Sequence, residues 1–210
     1  MASFVVGLSG AVSPGPLLAV AIVHSAKKGY MVGPWVSLGH SLVEAVLVLA
    51  LVLGLAPILG SKEAGAVVGV VGGVMLILIG VGVVRESRGA SLSDLMKDRR
   101  VKIGSSTLLA GIIATVSNPF FFIWWVTIGN AMLLQGIKIA QLVGVLVFYF
   151  FHISSDFAWY SLVSVSIYKG RGLMSDVTYR RMLMIVACFL LILGLFFMIE
   201  GGRLLMTQGT

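Results

Sequence analysis

Charge is what this sequence has least of. Only 11% of its 210 residues are charged, against 59% that are hydrophobic. A water-soluble domain cannot cover its core with so little polar surface, which excludes that class and leaves a membrane protein. Cysteine is nearly absent. The lone Cys188 excludes a disulfide framework, a zinc ribbon and a dithiol relay, and reads as a small apolar packing residue. Acidic residues are scarce too, 8 against 15 Lys and Arg, for a net charge of +7. Those basic residues are clustered in short segments between apolar runs, a pattern that reports membrane topology rather than nucleic-acid binding.

What is abundant is apolar run length. A span needs about 20 mostly apolar residues, and six stretches qualify: 3–26, 34–59, 64–84, 103–134, 139–168 and 182–205. The first lacks a basic leader and carries Lys27 and Lys28 after its apolar run, so it reads as a retained span rather than a cleaved signal. The connections after the first, third and fifth runs hold twelve of the 15 Lys and Arg. By the positive-inside bias they are cytoplasmic, with both termini outside. A five-span alternative makes the first segment re-entrant. The expected chain is therefore an all-α, multi-pass protein of the cell membrane with the lipid bilayer as its main partner. It divides into a first repeat over 1–84, a basic loop over 85–102 and a second repeat over 103–210. The loop's S-L-S-D-L-M-K-D stretch allows a short amphipathic helix on the membrane surface.

The halves echo each other. The second run carries His40 and Glu44 and the fifth carries His152 and Asp156, each pair four residues apart and so on one helix face. Ionisable side chains inside a membrane are costly and face the bundle or a wet cavity. The first run of each half is also interrupted, at V-S-P-G-P (Ser13, Pro14, Gly15, Pro16) and at V-S-N-P-F (Asn118, Pro119, Phe120). Proline breaks a helix interior but suits a helix start. Ser13 and Asn118 are the expected N-caps, with Pro14 and Pro119 at the first helical positions. Three spans per half is an odd number, so the halves run oppositely through the membrane. Broken helices at matching places in inverted halves are the pattern of a secondary transporter with its site near the midplane.

With these residues together, the chain resembles the LysE/RhtB family of small exporters, whose members move amino acids out of cells. The likeness spans the whole chain. It is carried by S-P-G-P, the glycines Gly29, Gly33 and Gly39, the acid of the second run, N-P in the fourth run, and H-x-x-x-D-x-x-W-Y in the fifth. Two places depart from the family pattern: Val43-Glu44 stands where many members have Gly-Asp, and Phe120 where many have Lys.

An amino-acid substrate implies a receptor for each of its charges. Its carboxylate would meet the helix starts at residues 13–16 and 118–120, where free N–H groups and the helix dipole favour an anion. Its ammonium would sit near Glu44 or Asp156. Phe120 is the aromatic expected to close over it, with Trp124 and Trp125 assigned mainly to packing or lipid. Carboxylates and imidazoles held in an apolar cavity exchange protons near neutral pH. Glu44 and Asp156 are therefore expected to alternate between proton and substrate, with His40 and His152 tuning them.

The rival is a divalent cation held by His40, Glu44, His152 and Asp156. A membrane hydrolase using Ser154 or Ser155 is disfavoured, because those serines are expected to point away from the His152–Asp156 face and no nucleophile motif is present. No cofactor is called for. Gly65, Gly69 and Gly73 permit close helix approach, either inside one protomer or in a homodimer.

Overall fold

Two proline-bearing breaks organise the chain. The computed structural model describes residues 2–91 and 104–206. Helix α1 (Ala2–Val12) and helix α2 (Pro16–Lys28) meet at a bend of 73°. A residue preceding proline is pushed out of the α region, and both Ser13 and Gly15 precede one. Gly15 is accordingly extended (φ −161, ψ 177), and α2 begins at Pro16. This corrects the expected cap. Ser13 caps nothing and donates its hydroxyl back to Ser9 O at 3.0 Å, and the first helical position belongs to Pro16, not Pro14.

After Gly29, whose φ of 100 needs a glycine, α3 (Val32–Val52) and the short α4 (Ala56–Leu59) follow. Helix α5 (Lys62–Gly89) is capped by Ser61, whose side chain accepts from Ala64 N at 3.1 Å. It carries Arg85, Glu86 and Arg88, so the helix runs on into the first residues of the basic segment. The expected amphipathic helix lies outside the described residues.

The second half repeats the interruption. Helix α6 (Ser105–Val116) stops before Asn118. The Asn118 side chain accepts from Phe120 N at 3.2 Å and starts α7 (Pro119–Trp124), as expected. A π-turn (Trp125–Gly129) leads into α8 (Asn130–Gly170). Helix α8 is folded sharply at Ala140 (φ −146, ψ 24) and Gln141 (φ 49, ψ −128). Gly136 and Gly144 allow the two arms to touch there, since a Cβ on Gly136 would lie 3.1 Å from Gly144 O. A 3₁₀ turn (Arg171–Leu173) leads to α9 (Asp176–Met206).

Among the described residues there is no strand. By length and composition four helical stretches are apolar enough to cross a membrane, or five if α1 and α2 make one bent span. The bend at Ala140–Gln141 falls inside one of them, the 55-residue stretch Pro119–Leu173. Large apolar side chains such as Val46, Leu78, Ile185 and Ile192 are two-thirds or more exposed, which suits lipid and not water.

Helices α5 and α9 pack along a glycine seam. A Cβ on Gly73 would lie 2.6 Å from Gly194 O, and one on Gly69 3.0 Å from Gly201 Cα. The small-residue spacing at Gly69 and Gly73 is thus used inside the chain. The ends of α2, α5 and α8 and the start of α9 gather on one side of the molecule. Lys27 pairs with Glu86, Arg171 donates to Ala26 O at 2.9 Å, and Arg180 donates to Ala90 O at 2.6 Å. The segments that carry most of the positive charge therefore share one end.

Candidate functional site

Helices α3 and α8 lie against each other, and the i, i+4 pairs expected on each face one another. Glu44 Oε1 collects three nitrogens: His40 Nε2 at 3.1 Å, His152 Nε2 at 3.0 Å and Trp125 Nε1 at 3.2 Å. His40 Nε2 also lies 4.0 Å from Asp156 Oδ1. Both histidines, one from each half, therefore converge on Glu44, and Asp156 stands further off beside His40. Glu44, His152 and Asp156 are all buried.

Hydrogen-bond logic fixes the His40 ring. Thr115 Oγ1 lies 2.8 Å from His40 Nδ1 and 2.8 Å from Gly111 O. A carbonyl only accepts, and Thr115 has a single proton, so it donates to Gly111 O and His40 Nδ1 donates to Thr115. His40 Nε2 can then bond Glu44 only through a further proton, carried by the ring or by the carboxyl. The cluster has a place for an exchangeable proton.

Aromatic rings enclose His152. Trp124 stacks on it at 4.9 Å and Phe148 at 5.9 Å, while Trp125 meets it edge-on at 5.0 Å. Its Nδ1 is buried without a hydrogen-bond partner and lies against Gly7 of α1. A Cβ there would come within 2.7 Å of His152 Nδ1 and 2.5 Å of Ser155 Oγ. Ser155 thus corrects one expectation: it is buried beside His152 because α1 packs over both. Its hydroxyl donates to His152 O at 2.6 Å, and half-buried Ser154 donates to Phe150 O at 2.7 Å. Neither serine proton is directed at an imidazole nitrogen.

A cavity of about 470 Å³ opens onto this cluster. Of the expected residues, Ser13, Pro14, Gly15, His40, Glu44, Asn118, Phe120, His152 and Asp156 stand on its wall. Pro16 and Pro119 are buried at their helix starts and are not on it. The two breaks meet at the wall, where a Cβ on Gly15 would lie 3.7 Å from Asn118 Nδ2. The aromatics differ in how they stand at the wall. Phe120 lines the cavity yet is half exposed, with an edge contact to Phe197 at 5.1 Å. Trp125, assigned mainly to packing, is 1% exposed and bonded to Glu44.

Thr115, Tyr160 and Gly7 also belong to the site, and sequence reasoning missed them. The indole N–H of Trp125 offered a weak signal, since a buried one seeks an acceptor. Thr115 and Gly7 offered none, because their roles exist only once α6 and α1 are docked.

His40, Glu44 and Asp156 have potential ligand atoms within 4.8 Å of one another. His152 is not part of that group. The indole N–H on Glu44 Oε1 is a donor and competes with a cation for that oxygen. Toward the basic end, α2 is closed onto α8 by a hydrogen bond between the Ser25 and Ser164 hydroxyls, their oxygens 2.8 Å apart, with both residues fully buried.

Comparison with curated proteins and with solved structures finds no match for this chain. The family model described as LysE type translocator matches residues 8–201, nearly the whole length. This agrees with the resemblance carried by S-P-G-P, N-P and the histidine–acid pairs, and makes the protein a multi-pass membrane transporter. The chain belongs to the LysE type translocator family.

Proposed function

We propose that this transporter exports an amino acid or close derivative across the cell membrane in exchange for protons. It does so by alternating access between two inverted three-helix repeats, each with a broken first span. One observation carries the reading: the histidine–acid pairs of α3 and α8 come together in one cluster on the wall of a cavity where both helix breaks also converge. The bends at Ser13–Gly15, Asn118 and Ala140–Gln141 support six spans, namely α1 with α2, α3, α5, α6 with α7 and the first arm of α8, its second arm, and α9. The shared basic end supports a cytoplasmic face there and termini outside.

The substrate carboxylate is received at the starts of α2 and α7, where Gly15 leaves the backbone open to close approach. The ammonium is received by the acids of the cluster. When it leaves, a proton takes its place between an imidazole and a carboxylate, so substrate and proton compete for the same charge. Aromatic packing around His152 keeps water from short-circuiting the exchange.

The test is counterflow of labelled amino acids in proteoliposomes, followed by efflux driven by an acid-outside pH gradient. Wild type is expected to exchange one class and to respond to the gradient. Asp156→Asn and Glu44→Gln should lose the gradient response. If both variants keep it, the proton coupling proposed for these acids is wrong.

A further inference from the structure

The two acids of the site are not equivalent. Glu44 is 1% exposed, and its Oε1 already faces two imidazoles and an indole N–H. Its Oε2 is buried without a partner, but the carboxylate as a whole is matched by that ring of nitrogens. Asp156 is different. Its Oδ1 has only His40 Nε2 at 4.0 Å, too long for a hydrogen bond. Its Oδ2 is buried with no partner, although the residue stands on the cavity wall and is 4% exposed. A buried carboxylate oxygen left unpaired is costly, and a cationic donor brought in by a ligand removes that cost.

We propose that Asp156 docks the substrate's amino cation, and that the cavity in front of it takes an amino acid with an uncharged, apolar side chain. This rests on the exporter reading above and narrows it. Beyond the charged cluster the wall carries Leu17, Phe121, Ile123, Trp124 and Ile128. Among the described residues, no lysine or arginine is on that wall. An acidic side chain would enter beside two carboxylates, with no lysine or arginine to meet it and both imidazoles already turned to Glu44. A second cation, as in lysine, would find Glu44 already engaged and, among the described residues of the wall, no further acidic side chain to meet it. An apolar side chain instead gains burial against this wall, at about 25 cal/mol per Å² removed from water.

The experiment uses purified protein in proteoliposomes and counterflow of L-leucine, L-phenylalanine, L-lysine and L-glutamate. Leucine and phenylalanine should exchange at least about tenfold faster than the other two, since one uncompensated charge readily exceeds that factor. Lysine or glutamate exchanging as fast as leucine would overturn the substrate class while leaving the exporter reading intact. Exchange of none of the four, in vesicles shown to be tight, would overturn the substrate class, and the exporter reading falls only if the wider amino-acid panel fails as well.

Leucine affinity, read from thermal stabilisation of the detergent-solubilised protein, should fall at least about tenfold in Asp156→Asn and by less in Glu44→Gln. Equal losses would refute the assignment of the amino cation to Asp156. Ile128→Asp supplies a second carboxylate on the apolar wall and should raise lysine exchange, a gain that misfolding cannot imitate. If lysine exchange stays flat while leucine exchange persists, the apolar wall is not what excludes lysine and the proposal fails.

Discussion

Trp125 shows how one buried side chain can join packing to chemistry. Its ring fills space between α3 and α8, and its N–H meets Glu44 Oε1 at 3.2 Å. Trp125→Phe keeps most of the ring and removes that donor. Bonds to charged groups contribute about 1.5–3 kcal/mol, so the melting temperature in detergent should fall by several degrees and transport should weaken. An unchanged melting temperature would mean the bond contributes nothing. Gly7 makes a second residue-scale case. In Gly7→Ala the methyl would meet His152 Nδ1 and Ser155 Oγ at 2.7 and 2.5 Å, whereas a Cβ on Gly10 finds its nearest neighbour, Trp124 Nε1, at 3.7 Å. Overpacking typically costs about 1–3 kcal/mol. Thermal unfolding should therefore show Gly7→Ala clearly destabilised and Gly10→Ala close to wild type.

At the scale of elements, the molecule combines a seam and a closure. The α5–α9 seam depends on backbone contact at Gly73 and Gly194. Gly73→Val should drive the helices apart and lower the yield of monodisperse protein on size exclusion. The closure is the Ser25–Ser164 contact between α2 and α8, with its oxygens 2.8 Å apart. The proposed alternating access would require this contact to separate. With exposed Cys188 changed to serine, the double variant Ser25→Cys, Ser164→Cys should be arrested by oxidation and recover when reduced. Full transport by the cross-linked protein would show that α2 and α8 do not part here during the cycle.

At the scale of the whole molecule, the shared basic end makes topology testable. In the Cys188→Ser background, a membrane-impermeant thiol reagent should label Ile58→Cys in intact cells, because position 58 lies at the end away from the basic segments. Gly172→Cys, with no atom near its added Cβ, should be labelled only after permeabilisation. The reverse pattern would invert the orientation and place both termini inside. Much of this plan was legible in the chain. Asn118 was identified as a cap because asparagine before proline has one local reading, and the glycine spacing in α5 signalled close helix approach. The cap in the first half was misplaced by two residues, because Pro14 and Pro16 both suit a helix start and only the pre-proline restriction on Gly15 chooses between them.

Sequence by itself determined the class, the breaks and the candidate charges. Each depends on short-range chemistry: apolar run length against bilayer thickness, proline against the helical hydrogen bond, and side chains four residues apart on one face. Tertiary structure decided the rest. It turned both histidines onto Glu44, enlisted Thr115 and Trp125, buried Ser155 against Gly7, and separated an engaged Glu44 from an open Asp156. Those facts depend on how α1, α3, α6 and α8 dock. Docking distances between residues 75 or more positions apart are not written in any local pattern of the chain.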